Sequence, residues 1–101
     1  MPAEPIDLAH LDRQTGGDRS LAQTVLAMFA ERAPADLVRL KAASGQARRE
    51  IAHLIVGSAR AIGAGAVASA AGAVEAGGDD LAALDRALAE ALAFIAGRPG
   101  A

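Results

Sequence analysis

Clusters of glycine, proline and helix-capping residues cut this chain into alanine-rich stretches of helical length. Alanine is the best helix former and a poor strand former, so the stretches between the clusters are helices. Only Phe29 and Phe94 are aromatic, and no strand-like alternation of apolar and polar residues appears. The expected class is all-α. At 101 residues the chain forms one domain, spanning 1–101 with its core at about 6–97 and flexible ends. The absence of cysteine excludes disulfides, thiolate zinc sites and a cysteine nucleophile.

The punctuation predicts five helices. A short first one covers residues 7–14 and stops at Gly16-Gly17. Asp18 is an N-cap for the second, whose Leu21, Val25, Met28 and Phe29 share a face. Pro34 interrupts this run, yet Leu37 and Leu40 continue its spacing, so one long helix over 19–43, kinked at Pro34, is expected. Ser44-Gly45 ends it, and a third helix covers 46–62. Gly63-Ala64-Gly65 is a tight junction to a fourth helix over 65–76, built of alanine, serine and valine. Gly77-Gly78 stops that helix and Asp79 caps a fifth, with Leu81, Leu84, Leu88, Leu92 and Ile95 in the 3-4 spacing of a bundle seam. Residues 97–101 form a loose tail. Short turns between amphipathic helices predict an antiparallel up-down four-helix bundle with a short additional N-terminal helix.

Net charge is −2. Without a basic surplus, and with only two aromatic side chains for stacking on bases, nucleic-acid binding is not expected. The longest uncharged run, 61–74, falls short of the roughly 20 residues of a membrane-spanning helix. The opening residues Met1 to Pro5 lack a basic stretch followed by an apolar one, so no signal peptide is read there. A cytoplasmic, monomeric protein is expected.

Helix geometry focuses attention on the third helix. At 100° per residue with His53 at 0°, Ile51, Ile55 and Ile62 fall within about 20° of the opposite side, the stripe a bundle buries. Around His53 lie Arg49 at about −40°, Arg60 at about −20°, Gly57 at about +40°, Glu50 at about +60° and Val56 at about −60°. The imidazole is therefore expected to point away from the core. Gly57, one turn beyond, costs about 0.8–1 kcal/mol relative to alanine within a helix. A cleared approach to the ring for another protein would offset that cost. Arg49 and Arg60 form a seat for an anion carried on His53, because guanidinium groups match phosphate oxygens. Two nearby cations also disfavour a charged ring and favour the neutral nucleophile.

The segment Ile51-Ala-His-Leu-Ile-Val-Gly-Ser-Ala-Arg-Ala-Ile-Gly-Ala64 resembles the signature of histidine-containing phosphotransfer (HPt) domains. That signature runs alanine-histidine, leucine-lysine-glycine-serine, then a glycine-alanine pair. Ala52-His53, Gly57-Ser58 and Gly63-Ala64 match it in register, with Ile55 in the leucine position. Upstream, Thr15-Gly16-Gly17-Asp18 and Phe29-Ala-Glu-Arg-Ala-Pro34 look like recurring features of the same family. The likeness extends over about 6–95.

The resemblance implies a phosphorelay carrier. His53 would accept a phosphoryl group from an aspartyl phosphate on a response-regulator receiver domain and pass it reversibly to another. The implied partners are receiver domains and a hybrid histidine kinase. Mg²⁺ would belong to the receiver, leaving the carrier without a cofactor or metal site of its own. Arg49 and Arg60 would stabilise the phosphoryl group, and Glu50, Val56, Gly57 and Ala64 would lie on the docking surface. The family's usual lysine, three residues after the histidine, is here Val56. Val56 is also the main support for an alternative, a non-catalytic module that docks on receivers or kinases without transferring phosphate. Two further readings carry less: a helical interaction domain with an accidental motif, and half of a di-iron pattern in Glu50-x-x-His53, whose partner motif is missing because His10 stands alone.

Overall fold

The computed structural model describes residues 4–98, so the expectations for 1–3 and 99–101 lie outside the described residues. It is all-helical, with no strand among the described residues: α1 (Leu8–Gln14), α2 (Arg19–Ala42), α3 (Gly45–Ile62), α4 (Gly65–Glu75) and α5 (Leu81–Ala96). No helix among them is long and apolar enough to cross a membrane. Helices α2 to α5 each pack on the next, α5 returns to pack on α2, and α1 lies against α2 and α3. The core runs between them, with Ile6, Leu40, Ile55, Ile62, Leu84, Val67 and Val74 as its largest fully buried side chains.

Local chemistry sets most of the boundaries. Asp7, Asp18 and Asp80 accept from the backbone N–H groups of His10, Leu21 and Ala83, capping α1, α2 and α5. The cap of α5 is thus Asp80 and not Asp79, because only the residue just ahead of Leu81 places its carboxylate over the first turn. Helix α2 is continuous across Pro34. The lost hydrogen bond and the ring cost about 3 kcal/mol in a helix interior. Burial of Phe29 and Ala33 before the proline and of Leu37 and Leu40 after it offsets that cost. Past its C-terminus the half-buried Arg48 reaches back from α3, donating from Nε to the carbonyls of Leu40 at 3.2 Å and Ala43 at 2.9 Å.

The α3–α4 junction positions the site. Gly63 adopts φ +78°, its N–H bonds Arg60 O at 3.2 Å, and Ala64 N–H bonds Ala59 O at 2.8 Å. These two bonds satisfy carbonyls at the end of α3 and turn the chain sharply back. Asp7 N–H donates to Gly63 O at 2.8 Å, and a Cβ on Gly63 would stand 2.8 Å from Asp7 O. Glycine is required there twice over, by its dihedral and by this close approach. His10 adds a second tie, its Nε2–H donating to Arg60 O at 2.9 Å. His10 is therefore a partly packed residue that anchors α1.

Candidate functional site

Helix α3 buries Ile51, Ala52, Ile55, Val56, Ala59 and Ile62. On the helical projection these cover an arc from about 160° through 180° to about −60°, so the exposed face is centred near +50° and not on His53 itself. The displacement has a physical cause. Helix α2 covers the Ile62 side, where Ser58 and Ala61 line the shared groove, while α4, made of small residues, also packs on α3 and brings Glu75 to His53. His53 sits at the border between the exposed face and α4, and its side chain is 71% exposed.

Two expectations are corrected by this arrangement. Val56 is 4% exposed and Ala64 is fully buried, so neither belongs to a docking surface. Val56 falls within the buried arc of α3, and Ala64 lies in the turn where its N–H bonds Ala59 O. Glu50 and Gly57 are exposed, as is Arg60.

The ring of His53 has a partner from the neighbouring helix. Its Nδ1 lies 2.6 Å from Oε2 of Glu75, the last residue of α4. An ionised carboxylate only accepts, so Nδ1 carries the proton and donates. In the neutral ring this leaves the lone pair on Nε2, which makes no hydrogen bond among the described residues. The tautomer is thus set by a fixed acceptor, and the unshared electron pair belongs to the nitrogen on the far side of the ring.

A surface depression of about 470 Å³ surrounds this pair, lined by Gln46, Arg49, Glu50, His53, Leu54 and Glu75. Arg49 donates from Nη2 to Gln46 Oε1 at 2.8 Å, and Gln46 Nε2 donates to Glu50 Oε1 at 3.3 Å. Arg49 is therefore held on this side of the helix by a neutral amide. Arg60 stands two turns beyond His53, roughly 10 Å along the helix axis, outside the depression. Its guanidinium makes no hydrogen bond or ion pair among the described residues. A Cβ built on Gly57 would meet nothing within 4 Å, so no packing within the chain demands glycine there.

Beside the depression runs a groove between α2 and α3, with a volume of about 390 Å³ and walls that include Val25, Met28, Arg32, Leu54 and Ala61. Met28 is 51% and Leu54 57% exposed, so apolar surface adjoins the polar site. Among the described residues no three histidine, cysteine or acidic side chains group as a metal site would need.

Sequence reasoning missed Glu75, Gln46 and Leu54. A usable signal for Glu75 existed: His53 and Glu75 are each eleven residues from Ala64, the centre of the junction. A chain folding back there pairs residues equidistant from the pivot. Comparison with protein-family models, with curated proteins and with solved structures returns no match.

Proposed function

We propose that this protein is a histidine phosphotransfer domain, a four-helix bundle with a short extra helix at its start, carrying a phosphoryl group on His53 between receiver-domain aspartates. One observation carries the reading: an exposed imidazole whose Nδ1–H is held by Glu75 at 2.6 Å while Nε2 stays open. The HPt-like order of Ala52-His53, Gly57-Ser58 and Gly63-Ala64 supports it independently.

The chemistry balances without a metal on this chain. The Nε2 lone pair attacks the phosphorus of a receiver aspartyl phosphate, an N–P bond forms, and the acyl-phosphate O–P bond breaks to return a free aspartate carboxylate. The ring gains positive charge as the N–P bond forms. Glu75, already hydrogen-bonded to Nδ1, faces that charge, and the proton stays where it is. Glu75 is a positioning residue that selects the tautomer and supports the phosphorylated ring. Arg49 stands one turn away, within reach of phosphoryl oxygens. Mg²⁺ would be the receiver's contribution.

The open flank at Gly57 and the groove bearing Met28 and Leu54 suit docking of a receiver over the α2–α3 face. The same groove, together with the buried Val56 in the family's lysine position, favours the second reading, a module that docks without transfer. One experiment separates them. A receiver domain labelled with phosphate from acetyl phosphate and Mg²⁺ is mixed with this protein and with His53→Gln. Acid-labile label on the wild type and none on the variant is the expected outcome. Receiver binding with no label in either leaves docking alone, and the absence of both refutes the two readings together.

A further inference from the structure

The charges around the ring do not match what a phosphoryl group brings. Glu50 lies three residues before His53, and on a helix such pairs are neighbours with Cβ atoms about 5–6 Å apart. Its carboxylate lines the same depression as the ring and is held by Gln46 Nε2 at 3.3 Å. Glu75 faces the ring nitrogen, where positive charge develops, so its carboxylate is matched. Among the described residues Glu50 has no such cation. Arg49 offers one guanidinium but shares it with Gln46. Val56, in the position of the usual lysine, is buried and adds none. A phosphoryl group adds close to two negative charges, set down one helical turn from the Glu50 carboxylate.

We propose that Glu50 destabilises phosphorylated His53, so that the carrier passes its phosphoryl group to an acceptor and does not store it. The inference rests on the phosphotransfer reading and assigns Glu50 a role in the direction of flow. On transfer the N–P bond breaks, its electron pair returns to Nε2, and the phosphorus gains a bond to a carboxylate oxygen of the receiver, or to water in spontaneous loss. No proton has to leave the ring. The repulsion between Glu50 and the phosphoryl oxygens is relieved in both reactions. A single carboxylate acting on a doubly charged group at roughly 7 Å through partly aqueous surroundings changes the equilibrium by about threefold to tenfold.

The test compares wild type, Glu50→Gln and Arg49→Gln after labelling by a receiver phosphorylated with acetyl phosphate and Mg²⁺. Two quantities are read: the equilibrium share of label on the carrier, and the half-life of the label once the receiver has been removed, which docking does not affect. Glu50→Gln keeps an acceptor for Gln46 while losing the charge. It is expected to raise both quantities by about threefold to tenfold, whereas Arg49→Gln lowers both. The gain should shrink toward nothing at about 1 M salt, where charges are screened beyond about 3 Å. A merely structural role would not produce that dependence. Equal half-life and share in Glu50→Gln and wild type, with both labelled, overturns this inference and leaves His53 as the acceptor. A wild type that takes no label overturns the phosphotransfer reading and this one with it.

Discussion

Replacing Glu75 with glutamine tests whether the carboxylate behind His53 works through its charge or only through its position. Glutamine can still accept from Nδ1–H, so the ring keeps its orientation and tautomer. On the proposed phosphotransfer role, what disappears is a negative charge facing a ring that would become cationic as phosphate arrives. Unit charges about 4 Å apart interact by about 1 kcal/mol in water and about 4 kcal/mol near a protein surface. His53 is 71% and Glu75 38% exposed, so the lower part of that range applies, about 1–2 kcal/mol. Placed on the transition state, this slows phosphotransfer about tenfold. Rapid-quench measurement of label passing from a phosphorylated receiver to the carrier gives the rate directly. Glu75→Leu, which also removes the acceptor and frees the tautomer, should be slower still. A Glu75→Gln protein that transfers within twofold of wild type would refute the electrostatic argument. If Glu75→Leu kept pace as well, Nδ1 would need no partner at all.

Substitutions at three other positions probe the frame of the site. Gly57→Ala should stabilise α3 by about 0.8–1 kcal/mol, because the added Cβ meets nothing within 4 Å; an unchanged or lower Tm would contradict the open flank. A bulkier residue at the same position should weaken receiver binding, measurable by titration calorimetry. Gly63→Ala should cost more than 1–2 kcal/mol, roughly the penalty of left-handed backbone alone, because its Cβ also stands 2.8 Å from Asp7 O. Denaturant unfolding would reveal it, and a neutral result would mean that the α1 clasp is not made. Val56→Lys should lower stability by about 1–3 kcal/mol, since the side chain it replaces is 4% exposed; a gain in phosphohistidine lifetime without that loss would place residue 56 at the surface.

The helices were legible because their boundaries are written in local chemistry. Capping aspartates, glycine pairs and apolar spacing each act within a few residues, and α1 to α5 follow them closely. Even Pro34 obeyed the spacing of Leu37 and Leu40 over its own disruptive ring. Asp79 was expected as the cap where Asp80 serves, because two adjacent aspartates offer the same chemistry and only the backbone decides which one faces the first turn. The helical projection placed His53 outward but misjudged Val56. The three isoleucines mark only part of the buried arc, and the alanine and valine edge was undervalued because small side chains bury little area each. Ala64 failed for a similar reason: within a motif it looked like surface, whereas its backbone bond to Ala59 encloses it. Arg48 and Glu75 act across helices. Their partners are fixed by how the turns direct the chain, which no window on one helix contains.

The pairing of His53 with Glu75 across a pivot at Ala64 ties this hydrogen bond to chain length. One residue inserted into either arm would rotate everything beyond it by about 100° and advance it about 1.5 Å, swinging the carboxylate off the imidazole. The stretch 53–75 therefore behaves as a single cassette. It can be lengthened only by matched additions of about whole turns on both arms, and transplanted into another helical scaffold only as a whole.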